Sequence, residues 1–202
     1  MREAKIKLSE DELLLVQNAA VILTKNAIIR KAISLFGMLA EEMKTILENE
    51  ALPDDVKMTT AKISRGENYK GLPYVILDFP RLFTPENIFA IRTMFWWGNY
   101  FSVTLHLKGA YKDRYQSVII ENIFLLAERQ FSICISSDQW RHELEDDNYI
   151  SLSRQTEKET SALIQGNQFL KISVKVEFAH WDDSMLKLTE LFREILQALR
   201  TH

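Results

Sequence analysis

Two segments alternate apolar and polar side chains so regularly that they dictate the kind of sheet this chain can build. In YFSVTLHLK (100–108), Phe101, Val103, Leu105 and Leu107 fall on one side, with Tyr100, Ser102, Thr104, His106 and Lys108 on the other. In FLKISVKVEF (169–178), Ile172, Val174, Val176 and Phe178 point inward, with Lys171, Ser173, Lys175 and Glu177 outward. Period two is the strand period, and a polar second face is what a half-covered antiparallel sheet tolerates. Parallel strands buried on both faces would read as continuous apolar runs.

The covering layer is legible as helices. From Asn26 to Glu50, Ile29, Ala32, Ile33, Phe36, Leu39, Ala40, Met43, Ile46 and Leu47 recur at spacings of three and four, an apolar helical stripe. Before it, Ser9 and Glu12 have the spacing of a capping box that opens LLLVQNAAVIL, and 24–26 (TKN) offers a break. The last helix carries Met185, Leu188, Leu191, Phe192, Ile195 and Leu199, with Asp182 or Asp183 as its cap. Between these, 57–64 and PYVILDFP (73–80) are predicted to pair as a hairpin around the RGENYKG turn (65–71). Thr84-Pro85-Glu86-Asn87 has the form of a helix start, predicting a short helix to about Phe95. A helix is expected over 111–129, a strand over 131–136, a brief helix from Ser136 through Leu144, and an exposed, mobile stretch over 141–160 with a short strand at 149–152.

The expected fold is therefore α+β. It has a mostly antiparallel sheet of about five strands with helices on one face, a long N-terminal helical segment and a C-terminal helix. A chain of 202 residues with 47% apolar side chains suits a single domain, 1–202, in which a 1–50 helical segment packs on a 57–202 core. A net charge of -3 gives no whole-molecule attraction to nucleic acid or an anionic membrane. The single cysteine, Cys134, excludes an internal disulfide and any multi-cysteine zinc site. The charged start MREAKIKLSEDELLL does not read as a signal peptide, and no stretch approaches the roughly 18 apolar residues of a membrane span. A soluble cytoplasmic protein without membrane contact is expected. None of the six glycines stands at phosphate-loop spacing, and no HExxH occurs, so no cofactor and no metal are predicted.

Three groups of residues invite a function. His106 on a polar strand face, with Asp78 interrupting an apolar strand and Arg81 three residues on, defines a possible base, orienting carboxylate and anion contact for a small hydrolase or transferase. Lys62, Arg65 and Lys70, with Lys57, form a basic hairpin beside Tyr69 that suggests RNA binding, although the acidic balance of the chain weighs against it. The aromatic run Phe95-Trp96-Trp97-Gly98-Asn99-Tyr100-Phe101 is the third. Successive tryptophans on a regular element cannot both face one core, so one is expected near a surface, groove or partner.

The segments KISRGENYKGLPYVILDFPRLF and FWWGNYFSVTLHLKG resemble conserved proteins of Bacteroidetes over residues 57–109. That resemblance implies a single intracellular domain and assigns no catalytic residue. The leading expectation is a non-enzymatic binding or interaction module, a homodimer that uses Arg81, Arg92, Trp96, Trp97 and Tyr100 as its contact surface.

Overall fold

The strand whose sequence alternates most cleanly lies at the centre of the sheet. The computed structural model describes residues 6–201. Its strands are β1 (Lys62–Tyr69), β2 (Leu72–Phe83), β3 (Ile88–Trp96), β4 (Tyr100–Lys108), β5 (Ser132–Cys134), β6 (Tyr149–Ser151) and β7 (Phe169–Glu177). They form one antiparallel sheet in the order β1-β2-β3-β4-β7-β5-β6. The helices are α1 (Glu10–Gln17), α2 (Ala19–Glu48), α3 (Asp54–Lys57), α4 (Ala110–Glu121), α5 (Ile123–Glu128), α6 (Glu157–Gly166) and α7 (Ser184–Ala198). This is the α+β fold expected, with a long N-terminal and a C-terminal helix flanking a multi-stranded sheet.

The main core lies between the sheet and these two helices. Phe36, Leu39 and Met43 of α2 and Leu188, Phe192 and Ile195 of α7 share it with Phe89, Phe101, Leu105 and Ile172 of the sheet. Each such side chain contributes about 1.5–3 kcal/mol by leaving water.

The sheet has seven strands rather than about five, and the largest correction is β3. Residues 84–95 were expected to be helical. Instead Thr84 closes a turn: its Oγ1 accepts the Asn87 amide at 2.9 Å, and its own amide donates to the Asn87 carbonyl. IFAIRTMFW then runs as a strand. Both of its faces are buried, so its sequence has no polar alternation to reveal it. The first hairpin is tighter than expected. β1 extends to Tyr69, and only Lys70 (φ 51°) and Gly71 (φ 81°) form the turn. Positive φ at both central residues is the type I′ geometry that matches strand twist.

Other differences are local. The N-terminal helices break at Asn18, whose side chain accepts the Ala20 amide, and not at 24–26. The Ser9–Glu12 capping box is formed. Asp183 occupies the cap position of α7, but its side chain makes no capping bond. Residues 135–148 contain no helix; Ser136 Oγ accepts the Asp138 amide in a turn. Within 141–160, Glu143, Asn148, Tyr149, Leu152 and Thr160 are buried, and α6 begins at Glu157, so this stretch is a covered part of the fold and not its most exposed one.

Candidate functional site

The second face of the sheet was expected to be wet. It is instead a buried polar layer. His106 is 6% exposed and Lys171 2%, and Thr104 and Ser173 are buried beside them. Strand register explains the grouping. His106 lies opposite Lys171 across β4 and β7, and Thr104 lies between Arg92 and Ser173. Residues 135–148, which follow β5, fold over this face as an irregular strap.

Polar bonds seat the strap. Lys171 Nζ donates to the carbonyls of Gln139 at 2.9 Å and Arg141 at 2.5 Å. Arg92 binds both oxygens of Asp78, at 2.7 and 2.9 Å, and its Nη1 lies 2.9 Å from His142 Nε2. A guanidinium only donates, so His142 Nε2 accepts and carries no proton. Glu143, 1% exposed, is the strap's anchor. It takes Arg141 Nε at 2.7 Å, Lys70 Nζ at 3.0 Å and the Tyr69 hydroxyl, while Tyr69 in turn accepts the His142 amide at 2.7 Å. The Tyr100 hydroxyl accepts the Leu144 amide at 2.8 Å.

Burial decides the charge states. It holds His106 down to about 3, and Lys171 and Arg92 push the same way. His142 is held at about 2, again chiefly by burial and then by Arg92 and Lys171. Lys171 itself falls to about 8 through burial. Burial alone would raise Glu143, but hydrogen bonds from Tyr69, its own amide, Arg141 and Lys70 outweigh it and hold the carboxyl near 2.

His106 and Asp78 thus share one sheet face, but the carboxylate is bound to Arg92 and makes no hydrogen bond to His106 among the described residues. Arg81 turns away from both: its amide bonds Thr59 Oγ1 and its Nε the Thr60 carbonyl. Cys134 lies on the same face as His106, across β7. Its thiol is buried, raised by that burial, and packed with Tyr149 and Phe169.

The aromatic run divides as successive tryptophans must. Trp96 is 6% exposed and packs on the strap side with Ile76 and Met94, its indole donating to the Tyr69 carbonyl. Trp97 goes to the helical side, half-buried, edge-on to Phe95. With Arg92 ion-paired and Tyr100 bound to the strap, Arg81, Arg92, Trp96, Trp97 and Tyr100 do not make one open contact surface. The basic residues are not gathered either. On edge strand β1, Lys62 lies opposite Asp78 and Arg65 opposite Val75, so they point to opposite faces, while Lys70 is tied to Glu143 and Glu145. Charges on an unpaired edge serve to discourage strand-to-strand association.

The open apolar surface lies elsewhere. Every described residue from Ile6 to Thr24 is exposed, and α1 buries none of its side chains. Leu13, Leu14, Leu15 and Val16 on α1 are 47–69% exposed, and Val21, Ile22 and Leu23 at the start of α2 are 42–65% exposed. The two helices meet in an elbow of 64° at Asn18. The first buried residue of α2 is Ile29, so its first turns project beyond the core. This surface was missed, although four consecutive apolar residues on a helix point all round its axis and no single neighbour can cover them.

In comparisons with family models, curated proteins and solved structures, none matches this chain.

Proposed function

We propose that this protein is a non-enzymatic interaction module of the cytoplasm that assembles as a homodimer through the elbow formed by α1 and the first turns of α2. One observation carries the reading: the elbow holds Leu13, Leu14, Leu15, Val16, Val21, Ile22 and Leu23 in water. With Leu8 they make eight large apolar side chains exposed between residues 8 and 23, a concentration that marks an interaction surface.

A second copy suits the shape of this element. Leu13 to Val16 point round the axis of α1 beyond its acidic first turn and need neighbours on more than one side, and two crossed elbows give each α1 both the partner's α1 and the partner's α2. A bilayer suits it less. The α1 helix is about 12 Å long, and its first turn holds Glu10, Asp11 and Glu12, which anionic headgroups repel. Among the described residues no single helix is long and apolar enough to cross a membrane, and α1 and α2 reach the length and composition of a span only when taken together across their 64° bend. The ion pair of Asp78 with Arg92 supports the non-enzymatic part, because it takes the carboxylate that would have oriented His106. The free, buried Cys134 suits a reducing compartment.

The test is the native mass of the full chain, with and without glutamate at the elbow. A dimer that dissociates when Leu14 and Ile22 become Glu supports the proposal, and a dimer indifferent to both places the interface elsewhere.

A further inference from the structure

The strap covers more positive charge than a structural latch requires. Lys171 is almost wholly buried, yet among the described residues it has no carboxylate partner; two strap carbonyls and the face of Tyr149, 5.7 Å away, are its neighbours. Two side chains on this same face are poorly met: the Tyr149 hydroxyl has no hydrogen bond, and His106 Nε2 has no well-formed one, the side chain of Gln139 being its only polar partner. His106 and Tyr149 are 94% and 96% buried, from exposures of 6% and 4%. The Lys171 ammonium and the His106 imidazole, paired directly across β4 and β7, are both covered by Gln139, whose backbone carbonyl takes the ammonium and whose side chain meets the imidazole. An ionised oxygen in place of Gln139 would give both groups stronger, charge-assisted bonds than neutral amide oxygens do.

The two halves of the strap are held differently. Residues 141–148 are anchored to the sheet by Tyr69 and Lys70 on Glu143 and by the Tyr100 hydroxyl on the Leu144 amide. Residues 135–140 begin with the Ile135 amide on the Asn148 carbonyl and otherwise reach the sheet mainly through the Gln139 carbonyl on Lys171. Ile135 is 38% exposed and Trp140 50%, and Trp140 rests with its ring 5.8 Å from His106 and 6.3 Å from Phe83. Swinging this half aside removes the Gln139 carbonyl from Lys171 and uncovers His106, while the anchored half stays in place.

The geometry points to a small-oxyanion site on the β4–β7 face, formed by Lys171 and His106 and gated by residues 135–140 with Trp140 as the latch. The bound group is a carboxylate or a phosphate, whose oxygens replace the Gln139 carbonyl on Lys171 and accept from His106 Nε2 in its N–H tautomer.

Titration calorimetry of the full chain with inorganic phosphate and, separately, acetate tests this and identifies the class of anion. Saturable binding of at least one is expected. Lys171→Met and His106→Gln, each checked for folding by circular dichroism, should weaken it at least tenfold, the scale of a lost charge-assisted or buried hydrogen bond. Trp140→Ala alters an exposed side chain. It should tighten apparent affinity by raising the open fraction, since apparent Kd varies inversely with that fraction. Absence of binding by wild type and Trp140→Ala alike overturns the site, as does undiminished binding in a folded Lys171→Met or His106→Gln protein. Unchanged or weaker binding in Trp140→Ala overturns the gate.

Discussion

His106 and Lys171 face each other directly across β4 and β7, both buried, and among the described residues neither forms an ion pair. Adjacent strands force the approach, and the strap then removes the water that would have screened it. The imidazole therefore stays neutral to about 3, and His142 above it to about 2.

That neutrality makes the fold sensitive to acid. Both histidines take up protons near 6.5 in the unfolded chain but much lower in the folded one, so between these values the unfolded state binds more protons. The contribution of the two histidines is at its full value above pH 6.5 and is lost as the pH drops toward 3. Glu143, ordinarily near 4.5 and held at about 2, adds a further loss below pH 4.5. Urea unfolding at pH 7.5, 5.5 and 4.5 should show stability declining by several kcal/mol, with a shallower slope in His106→Gln. A flat profile over this range would contradict the burial of both imidazoles.

The Asp78–Arg92 pair should be worth more intact than either partner alone. Asp78→Ala leaves a guanidinium, 17% exposed, without its carboxylate and should cost about 3 kcal/mol. The double replacement Asp78→Leu, Arg92→Met removes both charges and should recover a large part of that loss. Chemical denaturation of the three proteins checks the order.

Tyr69 ties the first hairpin to the strap by donating to Glu143 and accepting from the His142 amide. Tyr69→Phe should destabilise by about 1–3 kcal/mol, because it leaves a buried carboxylate and a peptide N–H with one partner fewer. Hydrogen exchange should accelerate over 135–148 before it does so in β3 or β4. Uniform acceleration would mean that the strap is not a separate cooperative unit.

Cys134 should be silent in the native protein. Its thiol is buried, raised by that burial, and near Asn148 Oδ1 at 3.6 Å. Alkylation by iodoacetamide at pH 7.5 should track global unfolding. Rapid labelling of the folded chain would place the thiol in an open position.

The alternating strands were legible because one face of each meets the helices: Phe101, Val103, Leu105 and Leu107 sit in the core as the pattern required. The pattern gave no sign of β3, because a central strand covered on both sides loses its polar alternation and Thr84-Pro85-Glu86 mimics a helix start. Nor did it show that Lys171 and His106 are buried. A lysine alternating with apolar residues reads as solvated, and only an irregular segment more than thirty residues away along the chain, 135–140, changes that. The tryptophan pair was read correctly as divided between two faces, but the partner for Trp96 was internal: Tyr69, Ile76 and Met94. The elbow carried the clearest unread signal, since Leu13 to Val16 encircle a helix that nothing else in the fold surrounds.

The account rests most on that elbow, and the native mass of the full chain at micromolar concentration tests it most directly. Wild type should have twice the 23.6 kDa chain mass. The double substitution Leu14→Glu, Ile22→Glu should run as a single chain with unchanged circular dichroism, because neither side chain is part of the core. A wild-type monomer, or a dimer that survives both glutamates, would contradict self-association through α1 and α2.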